Sequence, residues 1–285
     1  MIGIIGFGTV GRAYAAAFKM RGLEPIIYDI SIEKMNEAEI LGFETGTLSR
    51  VVSLSDYILI CVPTPTGESE PLDISLVRQC VSEIASIDED SKVIIKSTMP
   101  PLGCRKILRE TGVKHLVYSP EFLRERTALY DAMYPDRVIL AGDDEKLLDE
   151  IERHLYGSWS PKPPIIKTSY EVAEIVKLFT NAYLAMKVSF SNVLWLACRK
   201  VGADPEEVYR ILTMDPRISP SHLKPTGKPF GGKCLPKDLK AVIEFLNGIG
   251  VDRSAVMLLQ AVMMLNQSIA GQAEKGRQAR EREVI

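Results

Sequence analysis

Ile2-Gly3-Ile4-Ile5-Gly6-Phe7-Gly8-Thr9-Val10-Gly11 opens the chain and decides how the rest is read. The short apolar run predicts a buried strand. Gly6, Gly8 and Gly11 follow it in the spacing G-x-G-x-x-G, with Thr9 and Val10 between the last two, just before an amphipathic stretch. Strand, glycine turn and helix in that order form a dinucleotide-binding fingerprint. Gly6 permits the tight turn, Gly8 lets the backbone approach a pyrophosphate, and Gly11 allows the helix to lie close to the strand. Asp29 ends the next apolar run, Pro25-Ile26-Ile27-Tyr28, where it can bond a ribose 2′-hydroxyl. A carboxylate there would repel a 2′-phosphate, so NAD is expected over NADP. Lys34 lies either beside the adenosine or in solvent. A glycine-rich turn that holds no nucleotide is the bland alternative.

Further apolar runs occur at 57–62, 93–95, 116–118 and 137–141, separated in most places by helical patterns at 11–21, 73–86, 101–110 and 145–155. The alternation predicts an α/β fold with a doubly wound, Rossmann-type parallel sheet over residues 1–168. Ligands of such sheets bind outside the carboxyl ends of the strands. Three of those ends are unusual. Val62-Pro63-Thr64-Pro65-Thr66 is a rigid turn with two hydroxyls. Lys96-Ser97-Thr98-Met99-Pro100-Pro101 offers hydroxyls that either bond a substrate or cap the helix that one of the prolines begins. Ser119-Pro120-Glu121-Phe122-Leu123-Arg124-Glu125 carries two glutamates four apart, able to act as base and water-holder or simply to be solvated.

Pro161-Lys162-Pro163-Pro164 marks a break, and Ile165-Ile166-Lys167-Thr168 reads as a last short strand. Residues 169–285 are expected to form a mostly helical domain. One long helix covers 170–201, which lacks Pro and Gly; Asp204 and Pro205 start the next, and a final helical pattern covers 252–273. Lys177 and Asn181 share a face of the long helix, and Lys177 is either buried and paired or part of an exposed stripe.

The composition, 46% hydrophobic and 25% charged with a net charge of −2, is that of a globular protein, and nothing in it suggests a nucleic-acid partner. Five scattered cysteines fit a reducing cytoplasm better than a disulfide framework. No signal peptide is expected, nor a membrane span, since no uncharged apolar run comes near 18 residues. Three histidines far apart lack ligand spacing, so no metal is expected.

The most chemical stretch is Phe230-Gly231-Gly232-Lys233-Cys234-Leu235-Pro236-Lys237-Asp238. It places a thiol behind a glycine pair and before a helix start, where the helix dipole and a nearby lysine favour the thiolate. Asp238 returns to the same face one turn later. Cys104, at another helix start beside Arg105 and Lys106, is the rival reactive thiol; Cys80 and Cys198 sit in apolar helical settings.

Taken in order, these motifs resemble those of the UDP-glucose/GDP-mannose dehydrogenase family, with Glu174-Ile175-Val176-Lys177-Leu178-Phe179-Thr180-Asn181 as a further match, and the Cys-Leu-Pro-Lys-Asp form resembles the UDP-glucose and GDP-mannose branches most. The resemblance implies that Cys234 is the nucleophile, that Lys177 stabilises oxyanions, and that Asn181 and Asp238 are polar partners at the reacting carbon. It implies that Thr98 and Glu125 hold water near the nicotinamide, that Glu121 serves in thioester hydrolysis, and that Val62, Pro63, Thr64 and Lys237 lie beside NAD. Sugar-nucleotide contacts are implied for Phe122, Leu123, Arg124, Arg217, Lys224, Phe230 and Gly231. The reaction implied is a four-electron oxidation of a nucleotide sugar at C6, UDP-glucose to UDP-glucuronate, using two NAD through a thiohemiacetal and a thioester. A homodimer through 170–201 is implied as well. Relatives continue into a third, sugar-nucleotide-binding domain, which is expected to be missing because this sequence ends at Arg280-Glu281-Arg282-Glu283-Val284-Ile285. The competing expectations are a β-hydroxyacid-type dehydrogenase, which needs no Cys234, and an NAD-binding partner protein without full activity.

Overall fold

The computed structural model describes residues 1–67, 72–232 and 234–283, the last eleven as backbone alone. Lys233, part of the thiol-bearing stretch, and the terminal pair 284–285 lie outside the described residues. The strands are β1 (Ile2–Ile5), β2 (Pro25–Tyr28), β3 (Glu44–Thr45), β4 (Tyr57–Ile60), β5 (Lys92–Ile95), β6 (His115–Tyr118), β7 (Val138–Ala141) and β8 (Ile165–Thr168). The helices are α1 (Thr9–Met20), α2 (Ile32–Ile40), α3 (Leu48–Leu54), α4 (Ser75–Ile87), α5 (Gly103–Thr111), α6 (Ala128–Met133), α7 (Glu145–Ile151), α8 (Tyr170–Val201), α9 (Pro205–Leu212), α10 (Leu235–Gly248) and α11 (Arg253–Glu283).

Among the described residues the eight strands form one sheet in the order β3-β2-β1-β4-β5-β6-β7-β8. The order steps outward from β1 in both directions, so the cleft at the carboxyl ends of β1 and β4 is a topological switch point. β1, β4 and β7 are buried along their whole length because apolar layers cover both faces. Phe7, Tyr14, Phe18, Tyr156 and Trp159 pack on one side; Val77, Val81, Ile107, Tyr170 and Ala173 pack on the other.

The parallel sheet expected from the alternation holds except at one place: β7 runs antiparallel to β6, with Tyr118 opposite Ala141. The connection explains the reversal. Residues 119–137 supply only a 3-10 turn and the six-residue α6, whose Ala132 and Met133 pack on Ala13 and Ala17 of α1. No helix crosses the sheet to return the chain in parallel, and an antiparallel neighbour needs none. β8 is parallel to β7, as the short run 165–168 suggested.

The chain forms two compact units, one ending at Lys177 and the other beginning at Leu178, so the division falls inside α8. α8 coincides with the predicted 170–201, and Asp204 caps α9 by accepting from Glu206 N at 3.0 Å. α11 departs from the expectation that no apolar run comes near 18 residues, by length and composition alone. Arg253–Gln272 is long and apolar enough to cross a membrane by length and composition, with mean hydropathy 1.3. The sequence criterion required a wholly apolar run, whereas Gln260, Asn266 and Gln267 interrupt this one without adding charge. Asn266 is buried and bonded within its own unit.

Candidate active site

In the first unit the glycine turn is built as its spacing demands. Gly6 has φ +94°, a left-handed conformation that favours glycine. A Cβ on Gly11 would stand 1.9 Å from the Gly6 carbonyl oxygen, so the start of α1 can lie against β1 only as glycine. A Cβ on Gly8 would meet nothing within 4 Å, which leaves open space where a pyrophosphate would approach. Asp29 closes the turn: its Oδ2 accepts from Phe7 N at 2.6 Å and its Oδ1 from Ser31 N at 2.8 Å. The open cradle and the carboxylate at the end of β2 fit an NAD. Thr9 and Val10 begin α1 as the fingerprint requires. Lys34 bonds Glu37 at 2.6 Å, and Arg12 bonds the same carboxylate at 2.8 Å.

The next two loops are tied together, since Ser97 Oγ donates to the Val62 carbonyl at 2.6 Å. Pro63 is exposed, Thr64 buried and Thr98 half-buried beside them. Neither hydroxyl of Ser97-Thr98 caps a helix, which corrects the capping alternative. α5 begins only at Gly103, after Leu102 in a left-handed conformation, and its first N–H groups are satisfied from α8. There Glu174, fully buried, accepts from Leu102 N at 2.7 Å and from Cys104 N at 2.8 Å.

Lys177 lies one turn beyond Glu174 on α8, and of its two readings the structure selects the buried, paired one. Its Nζ donates to the Glu121 carbonyl at 2.6 Å and to Glu121 Oε1 at 2.8 Å. It also sits 5.4 Å from the centre of the Phe122 ring, which Arg137 covers from 3.9 Å. Burial alone would raise the Glu121 carboxyl; the Lys177 ammonium and the Leu123 N–H outweigh it and hold the acid below its ordinary range. Leu123 N donates to Glu121 Oε2 at 2.5 Å. The two glutamates of this segment part company, because Glu125 starts an exposed 3-10 turn. Arg124 is held by Asp131, which accepts from its N at 2.8 Å and its Nε at 3.1 Å.

In the sequence Lys96 stands out only as a neighbour of Ser97 and Thr98. In the fold its side chain is buried, with Nζ donating to Ser119 Oγ at 3.1 Å and lying 4.1 Å from the centre of the Tyr14 ring. Asp131, Glu174 and Lys96 give no local signal of their roles, because a charge on an amphipathic stretch looks solvated until its partners are known.

The second unit holds the thiol. Cys234 is the residue before α10, exposed, with Leu235 and Pro236 in the first turn. Asp238, in the same turn and buried, accepts from Asn181 Nδ2 at 2.6 Å. Lys237 Nζ lies 2.8 Å from its other oxygen, close enough for an ion pair but not aligned as a hydrogen bond. Cys104 fails as a rival: it is fully buried, and burial together with Glu174 pushes its thiol well above the ordinary range. Cys61 is pushed up to about 12 by burial and Cys80 to about 11. Phe230 is buried and Gly231 exposed. Arg217 bonds Asp215 and is 86% exposed at its side chain, and Lys224 pairs with Glu206 at 3.0 Å.

The first unit thus brings Glu121, Phe122 and Lys177 together, and the second brings Asn181, Lys237 and Asp238 together beside the helix that Cys234 opens. Residues 31–160 match the model of the UDP-glucose/GDP-mannose dehydrogenase family, NAD binding domain, and residues 171–268 match that of the same family's central domain. A UDP-glucose 6-dehydrogenase of Rickettsia bellii is 33% identical over 251 residues, covering 85% of this chain and 56% of the relative. A GDP-mannose 6-dehydrogenase of Pseudomonas aeruginosa is 33% identical over 281 residues, covering 85% and 63%. The solved UDP-glucose dehydrogenase of Pyrobaculum islandicum superposes with a TM-score of 0.81 at 26% identity, over 94% of this chain and 68% of that one. The chain therefore spans little more than half of the first relative's length. With both family domains matched in order over most of its residues, the chain belongs to the UDP-glucose/GDP-mannose dehydrogenase family.

Proposed function

We propose that the protein oxidises a nucleotide sugar at C6, UDP-glucose to UDP-glucuronate, through a thioester on Cys234. The exposed thiol at the start of α10, one turn from the Asn181–Asp238 pair, carries the reading. NAD, when bound, supplies the hydride acceptor for both oxidations, and the glycine turn with Asp29 would hold it. Cys234 Sγ adds to the aldehyde carbon and forms a thiohemiacetal. The Lys177 ammonium stabilises the oxyanion, and its bonds to Glu121 keep it oriented meanwhile. Asp238 takes up the released protons through water, with Asn181 fixing its carboxylate. Glu121, ionised beside Lys177, activates the water that cleaves the thioester. Thr98 and Glu125 hold water on the nicotinamide side of the site. Phe122, Leu123, Arg124, Arg217, Lys224, Phe230 and Gly231 contact the sugar nucleotide, while Val62, Pro63, Thr64 and Lys237 border the cofactor. One water and one primary alcohol give one carboxylate, two hydrides and the corresponding protons.

The same reading makes the protein a homodimer through 170–201, where Tyr183, Phe190 and Val193 leave apolar surface exposed. The decisive assay counts NADH per UDP-glucose consumed and captures the thioester by mass spectrometry. Two NADH per sugar with an adduct on Cys234 is expected, and Cys234→Ala should form no uronate. A Cys234→Ala protein that still yields two NADH and free uronate refutes the covalent route. One NADH per hydroxyacid, insensitive to that substitution, would identify a β-hydroxyacid dehydrogenase. NAD binding without turnover of any sugar nucleotide would identify a partner protein.

A further inference from the structure

Between α9 and α10 the described residues, 213–232 and 234, form no helix or strand, and the segment ends at the thiol. Such a segment has no ladder of its own, so its buried backbone groups need partners from elsewhere. Side chains of α8 supply some: Lys187 Nζ donates to the Ser219 carbonyl at 2.9 Å, and Asn192 Nδ2 to the Lys228 carbonyl at 2.8 Å. Trp195 fills the space under Gly227, where a Cβ would come within 2.6 Å of its ring. A further contact, to the residue four before the thiol, comes from α11. Phe230 N donates to Asn266 Oδ1 at 2.7 Å, and Asn266 Nδ2 donates back to the Phe230 carbonyl at 3.0 Å. Asn266 is only 8% exposed, and Phe230 is buried with it. One carboxamide thus satisfies both backbone groups of one residue, as a facing strand would do.

The glycine pair after Phe230 gives this anchor its importance. Gly231 and Gly232 have no Cβ to restrict them, and Gly232 stands at φ +76°. Phe230 is thus held through both backbone groups just ahead of the glycine pair. On the far side, Asp238 is anchored by Asn181. Cys234, whose carbonyl accepts from Asp238 N at 2.8 Å in the first turn of α10, lies four residues from Phe230 and four from Asp238.

We propose that Asn266 is a positioning residue for Cys234, clamping the Phe230 backbone so that the glycine pair delivers the thiol to the amino end of α10. The functional weight of this rests on Cys234 being the nucleophile; the clamp itself does not. Only an amide suits both bonds. Asn266→Asp keeps the shape and still accepts from Phe230 N, but it turns an oxygen toward the Phe230 carbonyl. Asn266→Ala removes both bonds.

The test is alkylation of the full chain by iodoacetamide across pH, tracked at the Cys234 peptide by mass spectrometry, with Cys104 and Cys198 as buried references and NAD binding as a control on the first unit. Both variants are expected to slow Cys234 alkylation about fivefold near neutral pH and to move the midpoint of its pH profile upward, the size of a lost helix-end interaction. NAD affinity and the two reference cysteines should not change. A Cys234 profile unmoved in Asn266→Asp overturns the proposal. So does faster reaction at all three cysteines together, which would make Asn266 a stabiliser of the whole unit. No substrate is needed, so a failure here is separate from a failure of the thioester reading, which the Cys234→Ala assay decides.

Discussion

Lys96 makes stability depend on pH in a direction that can be worked from its surroundings. It is 2% exposed, and burial drives its ammonium down from 10.5 to about 7; Cys61 and Glu121 oppose the fall and Lys177 deepens it. The groups that face it are Tyr14 from α1, Cys61 after β4, Ser119 and Glu121 after β6, and Lys177 from α8, with Tyr156 sharing the Ser119 hydroxyl. Because the folded value is depressed, the unfolded chain binds more protons than the native one between about pH 7 and 10.5. Stability should therefore rise with pH through that window and flatten below it. One proton is worth about 1.4 kcal/mol per pH unit, so between about pH 7 and 10 the gain is ~3 kcal/mol once the flattening near each end is included. Lys96→Met fills the same space and removes the titration. Urea unfolding of both proteins at several pH values isolates this residue, because the other groups cancel in the difference. The variant should be more stable near pH 7, with its advantage shrinking by ~3 kcal/mol toward pH 10. If the two curves stay parallel, the buried lysine is charged throughout and the desolvation argument is wrong.

Two further outcomes rest on named contacts. Gly11→Ala must displace the Gly6 carbonyl from its 1.9 Å clash, so it should cost about 1–3 kcal/mol or more and abolish NAD binding by calorimetry; an intact isotherm would sink the close-approach account. Asp131 is lowered to about 2 by its bonds to the Arg124 side chain, against burial and with help from Arg124 N and Thr127. A depressed carboxyl stabilises above its unfolded value of 3.8 and loses that contribution as pH falls toward about 2. Asp131→Asn should therefore be less stable than the parent at neutral pH, with the gap closing below pH ~4 in acid unfolding curves, and a constant gap would mean that the Arg124 clamp contributes no charge.

Much of the architecture could be read from local pattern. The turn at Gly6-Phe7-Gly8, the 32-residue α8 and the Asp204-Pro205 helix start are written in a few adjacent residues, because turn conformation, helical periodicity and capping are local effects. The strands β3 and β7 show the limit. Glu44–Thr45 pairs only because β2 offers an open edge, and the direction of β7 depends on what crosses between it and β6.

The candidate site divides in the same way. The sequence alone determined a nucleotide-binding turn with Asp29 at the end of the next strand, a thiol before a helix, and a lysine and asparagine one turn apart, since each is a matter of spacing along the chain. Only the tertiary structure decided that Lys177 is buried against Glu121, that Cys104 is sealed in, that Glu174 caps α5 and that Asn266 grips Phe230. Those partners stand 36 to 70 residues apart. The cost of burying a charge or an amide depends on the partner it finds, and no local pattern encodes which partner that is.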